Sequence, residues 1–160
     1  MPQPAILFVC LGNICRSPAA EAVFNQHLKL TGKNNITVDS AGTINHHAGN
    51  PADPRMMATA TKRNITLTSI ARQVTAEDFQ TFDLIVAMDS NNHRDLLNAG
   101  ANPQQTKLLG EFLPDHNPRE SATQDVPDPY YGGQNGFDHV LDLLEAAMPQ
   151  VAQALGLENA

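Results

Sequence analysis

The chain has 160 residues, enough for one domain, and 41% of them are hydrophobic, which allows an ordinary core. Its 10 basic and 17 acidic residues give a net charge of −7, which disfavours nucleic acid or a membrane surface as a partner. No apolar run reaches the roughly 18 residues of a membrane span, and the N-terminus lacks the basic region of a signal peptide.

Apolar runs and helical patterns alternate along the whole chain. The predicted strands are residues 5–9, 36–41, 84–88 and 106–109. The predicted helices are residues 18–30, 54–63, a short turn from 75, 89 or 90 to 98, and 137–155. This alternation predicts a single-domain α/β fold over residues 1–160: a four-stranded parallel sheet flanked by helices on both faces.

Two features of the C-terminal third stand out. Residues 111–136 form a long proline-containing loop, and loops of that length inside a compact domain are usually functional. Pro149 lies inside the last helical pattern and removes one backbone hydrogen bond to Glu145. We therefore expect a kink or break near Ala147.

The loop between the first strand and the first helix predicts an anion site. Cys10 ends the strand, Arg16 stands at the helix entry, and Ser17 with Pro18 is typical of a helix start. Backbone N–H groups and the helix dipole can converge on one point in such a loop. The predicted phosphate-binding residues are Leu11, Gly12, Asn13, Ile14, Cys15 and Arg16.

The residue types in this loop suit phosphoryl transfer. A helix N-terminus and nearby cations favour a thiolate, so Cys10 is predicted to be the nucleophile. Arg16 can pair two phosphate oxygens at once, and Ser17 can donate a hydrogen bond to the sulfur. Gly12 and Asn13 tolerate a left-handed backbone. The alternative is a buried structural cysteine beside a surface arginine.

The long loop holds a candidate acid, Asp128, between two prolines that stiffen the chain. One carboxyl group can protonate a leaving phenolate and then activate water. Tyr130 and Tyr131 are predicted to line the mouth of the pocket and stack on an aromatic ring. The alternative is a solvated turn.

Residues 9–18 (VCLGNICRSP) resemble the signature of the low-molecular-weight protein tyrosine phosphatases, and residues 128–132 (DPYYG) resemble that family's general-acid loop. Residues 39–43 (DSAGT), 71–73 (ARQ) and 86–89 (VAMD) follow in family order. The resemblance implies hydrolysis of phosphotyrosine through a phosphocysteine on Cys10. It implies Arg16 as phosphate ligand, Asp128 as general acid and base, and no metal or other cofactor.

The resemblance also implies supporting roles. Cys10 and Cys15 would form a reversible disulfide that protects the nucleophile, although Cys15 could simply pack the loop. Asp89 would orient Arg16, or act as a plain helix cap, or do both. Ser40 would support Asn13.

Two positions depart from the family pattern. His46 stands where an aromatic pocket wall is usual, and no third ligand accompanies the His46–His47 pair, so no metal site is predicted. Ser69 replaces a histidine that supports the loop asparagine in many members. The hydrogen bonds behind Asn13 must therefore differ, for example by passing through a water.

Other functions stay open at this point. Glutathione-coupled arsenate reduction would suit the same loop, whereas a thioredoxin-coupled form needs a further cysteine. A phosphocysteine carrier should lack Asp128, and a pure phosphate-binding module would not need Cys10. With two cysteines and no disulfide framework, we expect a cytoplasmic enzyme whose partner is a phosphotyrosine protein. Its substrate protein and its oligomeric state are not predicted.

Overall fold

Four parallel strands form one sheet in the computed structural model, which describes residues 3–119, 123–129 and 134–157. The strands are β1 (Ala5–Cys10), β2 (Thr37–Gly42), β3 (Leu84–Ala87) and β4 (Thr106–Leu108). The helices are α1 (Arg16–Leu30), α2 (Pro54–Thr61), α3 (Asp78–Thr81), α4 (Ser90–Asn98), the 3₁₀ helix Leu109–Phe112 and α5 (Gln134–Ala154). The predicted fold class is confirmed.

The apolar run of β1 packs against helices on both faces of the sheet. Ile6 and Phe8 belong to a core with α1, α2 and α5, whereas Leu7 and Val9 belong to a second core with α3 and α4. A strand that is buried on both faces needs a continuous hydrophobic run rather than an alternating one. The same burial makes β1 the rigid base of the loop that follows it.

The strand order β2-β1-β3-β4 places β1 in the middle of the sheet. The order reverses between β1 and β3, and open α/β sheets bind ligands at the carboxyl ends of the strands beside such a point. Cys10 is the last residue of β1, so its loop opens at this switch point.

The N-terminus of α1 differs from the sequence expectation. The helix begins at Arg16, two residues before the predicted start, and Cys15 occupies the cap position without a side-chain cap bond. Ser17 therefore lies inside the first turn and is not the cap. Its hydroxyl group lies beside Cys10 Sγ instead, at 3.1 Å.

The predicted break in the last helix does not occur, because α5 runs without interruption through Pro149. Pro149 is exposed, so the carbonyl group that loses its partner can be hydrated. Leu144, Met148 and Val151 are fully or almost fully buried on either side and hold the helix against the core. None of the described helices has the length and apolar character needed to cross a membrane.

Candidate active site

Cys10 lies at the bottom of a cup formed by the loop after β1. The backbone N–H of Asn13 donates to Cys10 Sγ at 3.3 Å, and the Ser17 hydroxyl lies 3.1 Å from the same sulfur. Asn13 has a φ of 58°, in the left-handed region that asparagine tolerates better than most residues. Because this conformation turns the Asn13 amide toward the sulfur, the backbone itself can stabilise a thiolate.

The small size of Gly12 leaves room for a neighbouring side chain beside the loop. Gly12 is not among the described glycines with positive φ, so its tolerance of a left-handed backbone is not used here, unlike that of Asn13. A Cβ atom at this position would lie 3.0 Å from His47 Cδ2. The missing side chain thus allows the imidazole ring of His47 to approach the phosphate loop.

Arg16 is 3% exposed and fixed by two long-range contacts. Its Nη1 donates to Asp89 Oδ2 at 2.6 Å and to the Val126 carbonyl at 3.0 Å. These bonds use both hydrogens of Nη1 and leave Nε and Nη2 for the oxygens of an anion. Burial by itself lowers the pKa of Arg16, but Cys10 and the carboxylates of Asp89 and Asp128 outweigh it and raise that pKa.

Asp89 performs two tasks with its two oxygens. Oδ2 accepts from Arg16, and Oδ1 caps α4 by accepting from the backbone N–H of Asn92 at 2.8 Å. The helix cap therefore fixes the carboxylate that in turn holds the guanidinium group.

Asn13 is held from behind by three protein groups. Its Oδ1 accepts from the Arg72 backbone N–H at 3.0 Å, and its Nδ2 donates to Ser17 Oγ at 2.8 Å and to Ser40 Oγ at 3.0 Å. These contacts satisfy the whole amide, so no bridging water is required. Ser69 is not among these partners of Asn13. Ser40, which accepts from Asn13, donates its own hydroxyl hydrogen to Glu21 Oε1 at 2.6 Å.

The segment that carries Asp128 is anchored by its main chain. Val126 is fully buried, its N–H donates to the Met88 carbonyl at 2.9 Å, and its own carbonyl binds Arg16. Asp125 accepts from both the backbone and the hydroxyl of Ser90. A Cβ atom on Gly110 would lie 2.0 Å from the Gln124 carbonyl oxygen, so only glycine lets this segment cross the 3₁₀ helix.

Asp128 lies two residues beyond this anchor and faces the same cup. Its Oδ2 is 3.8 Å from Arg16 Nη2, and its side chain is 32% exposed. The carboxyl group can therefore meet both a bound ester and water. Tyr130 and Tyr131, the predicted walls of the mouth, lie outside the described residues.

A cavity of about 180 Å³ joins these groups. It is lined by Cys10, Leu11, Gly12, Ile14, Cys15, Arg16, Ile44, His46, His47 and Asp128. His46 is thus part of the wall, as predicted from its position, and His47 packs edge to face against it at 4.8 Å between ring centroids. Leu11 and Ile44 are partly exposed at the rim.

Cys15 shares the cavity but has a different environment from Cys10. Both are free thiols. Burial raises the pKa of the Cys15 thiol, and the charges of Asp53, Cys10 and Asp128 raise it further. Cys15 therefore remains protonated at neutral pH, which leaves Cys10 as the candidate nucleophile.

The sequence reasoning missed four contributors to the site. They are the Val126 carbonyl, the Arg72 backbone N–H, the Glu21 carboxylate and the His47 ring. His47 had a local signal, since it follows His46 directly, and Arg72 lies in the ARQ string that resembles the family. No pattern marked the Arg72 backbone N–H, the Val126 carbonyl or Glu21 as a contact of the site.

Comparisons with known proteins show the family to which the chain belongs. Residues 5–160 match the model of the family described as low molecular weight phosphotyrosine protein phosphatase. A Synechocystis protein, assigned by its name to the low molecular weight protein-tyrosine-phosphatases, is 46% identical over 157 residues, covering 96% of this chain and 97% of the relative. The low molecular weight phosphotyrosine protein phosphatase of Gallus gallus is 43% identical, covering 86% of this chain and 87% of its own.

A solved structure extends the agreement to three dimensions. The protein tyrosine phosphatase of Entamoeba histolytica, crystallised with Hepes in its active site, superposes with a TM-score of 0.88 at 40% identity, covering 96% of this chain and 97% of its own. The chain therefore belongs to the low molecular weight protein tyrosine phosphatase family, and the predicted family, fold and enzyme class are confirmed.

Proposed function

We propose that this member of the family hydrolyses phosphotyrosine and small aryl phosphates through a phosphocysteine on Cys10. The main support for the proposal is that Cys10, Arg16 and Asp128 line the same cavity. A nucleophile, a phosphate ligand and a proton donor are the three groups that such a reaction requires.

The first step transfers the phosphoryl group to the enzyme. The Cys10 thiolate attacks phosphorus, so that an S–P bond forms while the P–O bond to the phenol breaks. Asp128 donates its proton to the departing phenol oxygen. The loop amides and the free edge of Arg16 hold the three equatorial oxygens, whose charge is spread in the transition state.

The second step returns the enzyme to its starting state. Asp128, now a carboxylate, accepts a proton from water as that water attacks phosphorus. The S–P bond breaks, inorganic phosphate leaves, and Cys10 is again a thiolate. The Ser17 hydroxyl, 3.1 Å from the sulfur, stabilises the thiolate as it departs.

The expected substrate is a protein that carries phosphotyrosine. Cys10 lies at the bottom of the cup, which favours the long phosphotyrosine side chain over phosphoserine. The Hepes bound in the Entamoeba relative carries a sulfonate, an anion that resembles phosphate in shape. His46 would provide the ring wall, and Tyr130 and Tyr131 remain predicted contacts. A thiolate nucleophile needs a reducing compartment, which favours the cytoplasm.

Hydrolysis of p-nitrophenyl phosphate in the presence of a chelator tests this function. We expect full activity with and without the chelator, because Arg16 and the loop amides supply the positive field. No hydrolysis by the folded protein would overturn the proposal, and activity that the chelator removes would overturn the metal-independent mechanism. Arsenate with glutathione in a parallel assay tests the reductase alternative.

Oxidation of the two thiols gives a separate test of the proposed redox role. Peroxide would convert the Cys10 thiolate to a sulfenic acid, and Cys15 would displace water from it to form a disulfide. Mass spectrometry should show a loss of two hydrogens that dithiothreitol reverses. If the wild type accumulates sulfonic acid as readily as Cys15→Ala, Cys15 has no protective role.

A further inference from the structure

The hydrogen bonds behind the phosphate loop have a fixed direction, and Asn13 determines it. The Arg72 backbone N–H can only donate, so the atom of Asn13 that it meets must be Oδ1. Nδ2 therefore points the other way and donates its two hydrogens to Ser17 Oγ and Ser40 Oγ. Both serine oxygens are acceptors in these contacts.

Each serine must then place its own hydrogen elsewhere. Ser40 Oγ lies 2.6 Å from Glu21 Oε1, so its hydrogen goes to that carboxylate. Ser17 Oγ lies 3.1 Å from Cys10 Sγ and 3.4 Å from the Ala41 carbonyl, so the sulfur is its nearer acceptor. Two series of hydrogen bonds thus start at Asn13: one runs through Ser40 to Glu21, and the other runs through Ser17 to Cys10.

We propose that Glu21 is a positioning residue for the phosphate loop, acting on Cys10 only through Ser40 and Asn13. The expected effect of Glu21 on turnover rests on the proposed function, whereas its expected effect on the Cys10 thiolate does not.

The need for an anchor follows from the backbone of Asn13. Its φ of 58° is unfavourable for a residue with a side chain, and such a conformation persists only when its surroundings hold it. The same residue directs its own N–H to Cys10 Sγ at 3.3 Å. If the Ser40 hydroxyl lost its acceptor, it could rotate and stop accepting from Asn13, and both the N–H and the Ser17 hydrogen would be less firmly directed at the sulfur.

The surroundings of Glu21 suit this task. Its side chain borders a polar surface cavity of about 260 Å³ that Asn25, Lys29 and Ser69 also line. Burial raises the pKa of the Glu21 carboxyl and Asp39 raises it further, while the Ser40 hydrogen bond and Arg72 act in the opposite direction. The carboxylate is thus held by its hydroxyl partner within a partly desolvated position.

Alkylation of Cys10 measures the effect without any substrate. The rate of iodoacetamide modification, followed at the Cys10 peptide by mass spectrometry across pH, reports the thiolate. Because a hydrogen bond to the charged form favours ionisation, we expect Glu21→Ala to move the midpoint of this profile to higher pH. Glu21→Gln, which keeps an acceptor of the same size but loses the charge, should move it less. Asn25→Ala, one turn further along α1 at the same cavity, is the control and should leave it unchanged.

Turnover gives the second reading. We expect Glu21→Ala to lower kcat by about fivefold to tenfold with little change in KM, as the loss of one hydrogen bond to a charged group would allow. In a Ser40→Ala background, Glu21→Ala should add nothing, since the proposed route passes through Ser40.

Three results would overturn the proposal. They are an unchanged Cys10 profile in well-folded Glu21→Ala, an additive loss in the double variant, or an equal shift in Asn25→Ala. A shifted alkylation profile in a protein that fails to hydrolyse aryl phosphates would leave the positioning role intact and remove only the proposed function.

Discussion

The two ends of the sheet carry cavities of very different size. At the amino ends of β1, β3 and β4, a cavity of about 630 Å³ is bordered by residues that include Asp83, Lys107 and Glu111. At the carboxyl ends, the cavity that contains Cys10 measures about 180 Å³. The smaller cavity nevertheless carries the reactive groups.

The difference lies in what the polar side chains are used for. At the amino end, Asp83 accepts from the Ala5 N–H at 2.8 Å and Glu111 accepts from the Leu108 N–H at 2.7 Å. Both carboxylates therefore satisfy the backbone and stabilise the fold. At the carboxyl end the backbone is turned toward the cavity, and Arg16 and Asp128 face the same space. Convergence of groups, rather than volume, distinguishes the candidate site.

Replacement of Cys10, the proposed nucleophile at the carboxyl end of the sheet, should have the largest effect on turnover. Cys10→Ser keeps the shape of the loop but offers a weak nucleophile without an adjacent base. We expect kcat to fall on the order of 10⁴-fold or more, as losses of nucleophiles in other enzymes do. Inorganic phosphate should still protect the loop from proteolysis. Appreciable turnover would remove Cys10 from the mechanism.

Asp128→Asn should have the next largest effect, and the effect should depend on the leaving group. General acid catalysis contributes roughly 10²–10⁴-fold, and phenyl phosphate needs it because phenolate is basic. A dinitrophenyl phosphate needs it less, because the dinitrophenolate is a weak base and departs without a proton. Single-turnover release of the phenol isolates this step. Equal losses for both esters would mean that Asp128 is not the acid. The neighbouring carboxyl group of Asp125, which accepts two hydrogen bonds from Ser90, would then be tested next.

Arg16→Lys tests how far activity depends on the several contacts that the guanidinium group makes at once. An ammonium group cannot pair two oxygens at once or keep both contacts of Nη1. We expect kcat/KM to fall by roughly 10²–10³-fold, the usual effect of removing a donor to the transition state. Near-normal rates in steady-state assays would exclude a bidentate role.

Lys107→Ala should have the smallest effect, because Lys107 borders the amino-end cavity and is not among the residues that line the cavity of Cys10. Substitutions away from packed or catalytic groups usually change free energies by about 0.5 kcal/mol or less, so kcat/KM should stay within about twofold. A loss greater than about tenfold would show that the two ends of the sheet are coupled.

Local sequence patterns were sufficient to predict the sheet and the loop. The apolar run of β1, the loop and the start of α1 lie within a short stretch, where chain geometry places neighbours together. The start of α1 differs from the expectation because Ser17 is a good cap by residue type, whereas its hydroxyl lies 3.1 Å from Cys10 Sγ, the contact that the loop chemistry predicts.

Contacts made by main-chain atoms of distant segments were beyond a sequence reading. The Val126 carbonyl reaches Arg16 across 110 positions, and the Arg72 N–H reaches Asn13 across 59. Every residue except proline has both a carbonyl and an N–H group, so residue type carries almost no signal of which one will be used. The sequence did not indicate Glu21 either, since its proposed role depends on the orientation of the side-chain amide of Asn13, which only the fold determines.

The main-chain attachment of Val126 has a consequence for protein engineering. The Val126 N–H donates to the Met88 carbonyl, and the Val126 carbonyl accepts from Arg16. Neither hydrogen bond involves a side chain of Pro127 or Pro129. Substitutions at Pro127 and Pro129, with Asp128 kept in place, should therefore leave both of these bonds intact. Libraries confined to these two positions would vary the placement of the Asp128 carboxyl group, and with it the leaving-group preference, while the contacts of Val126 are kept.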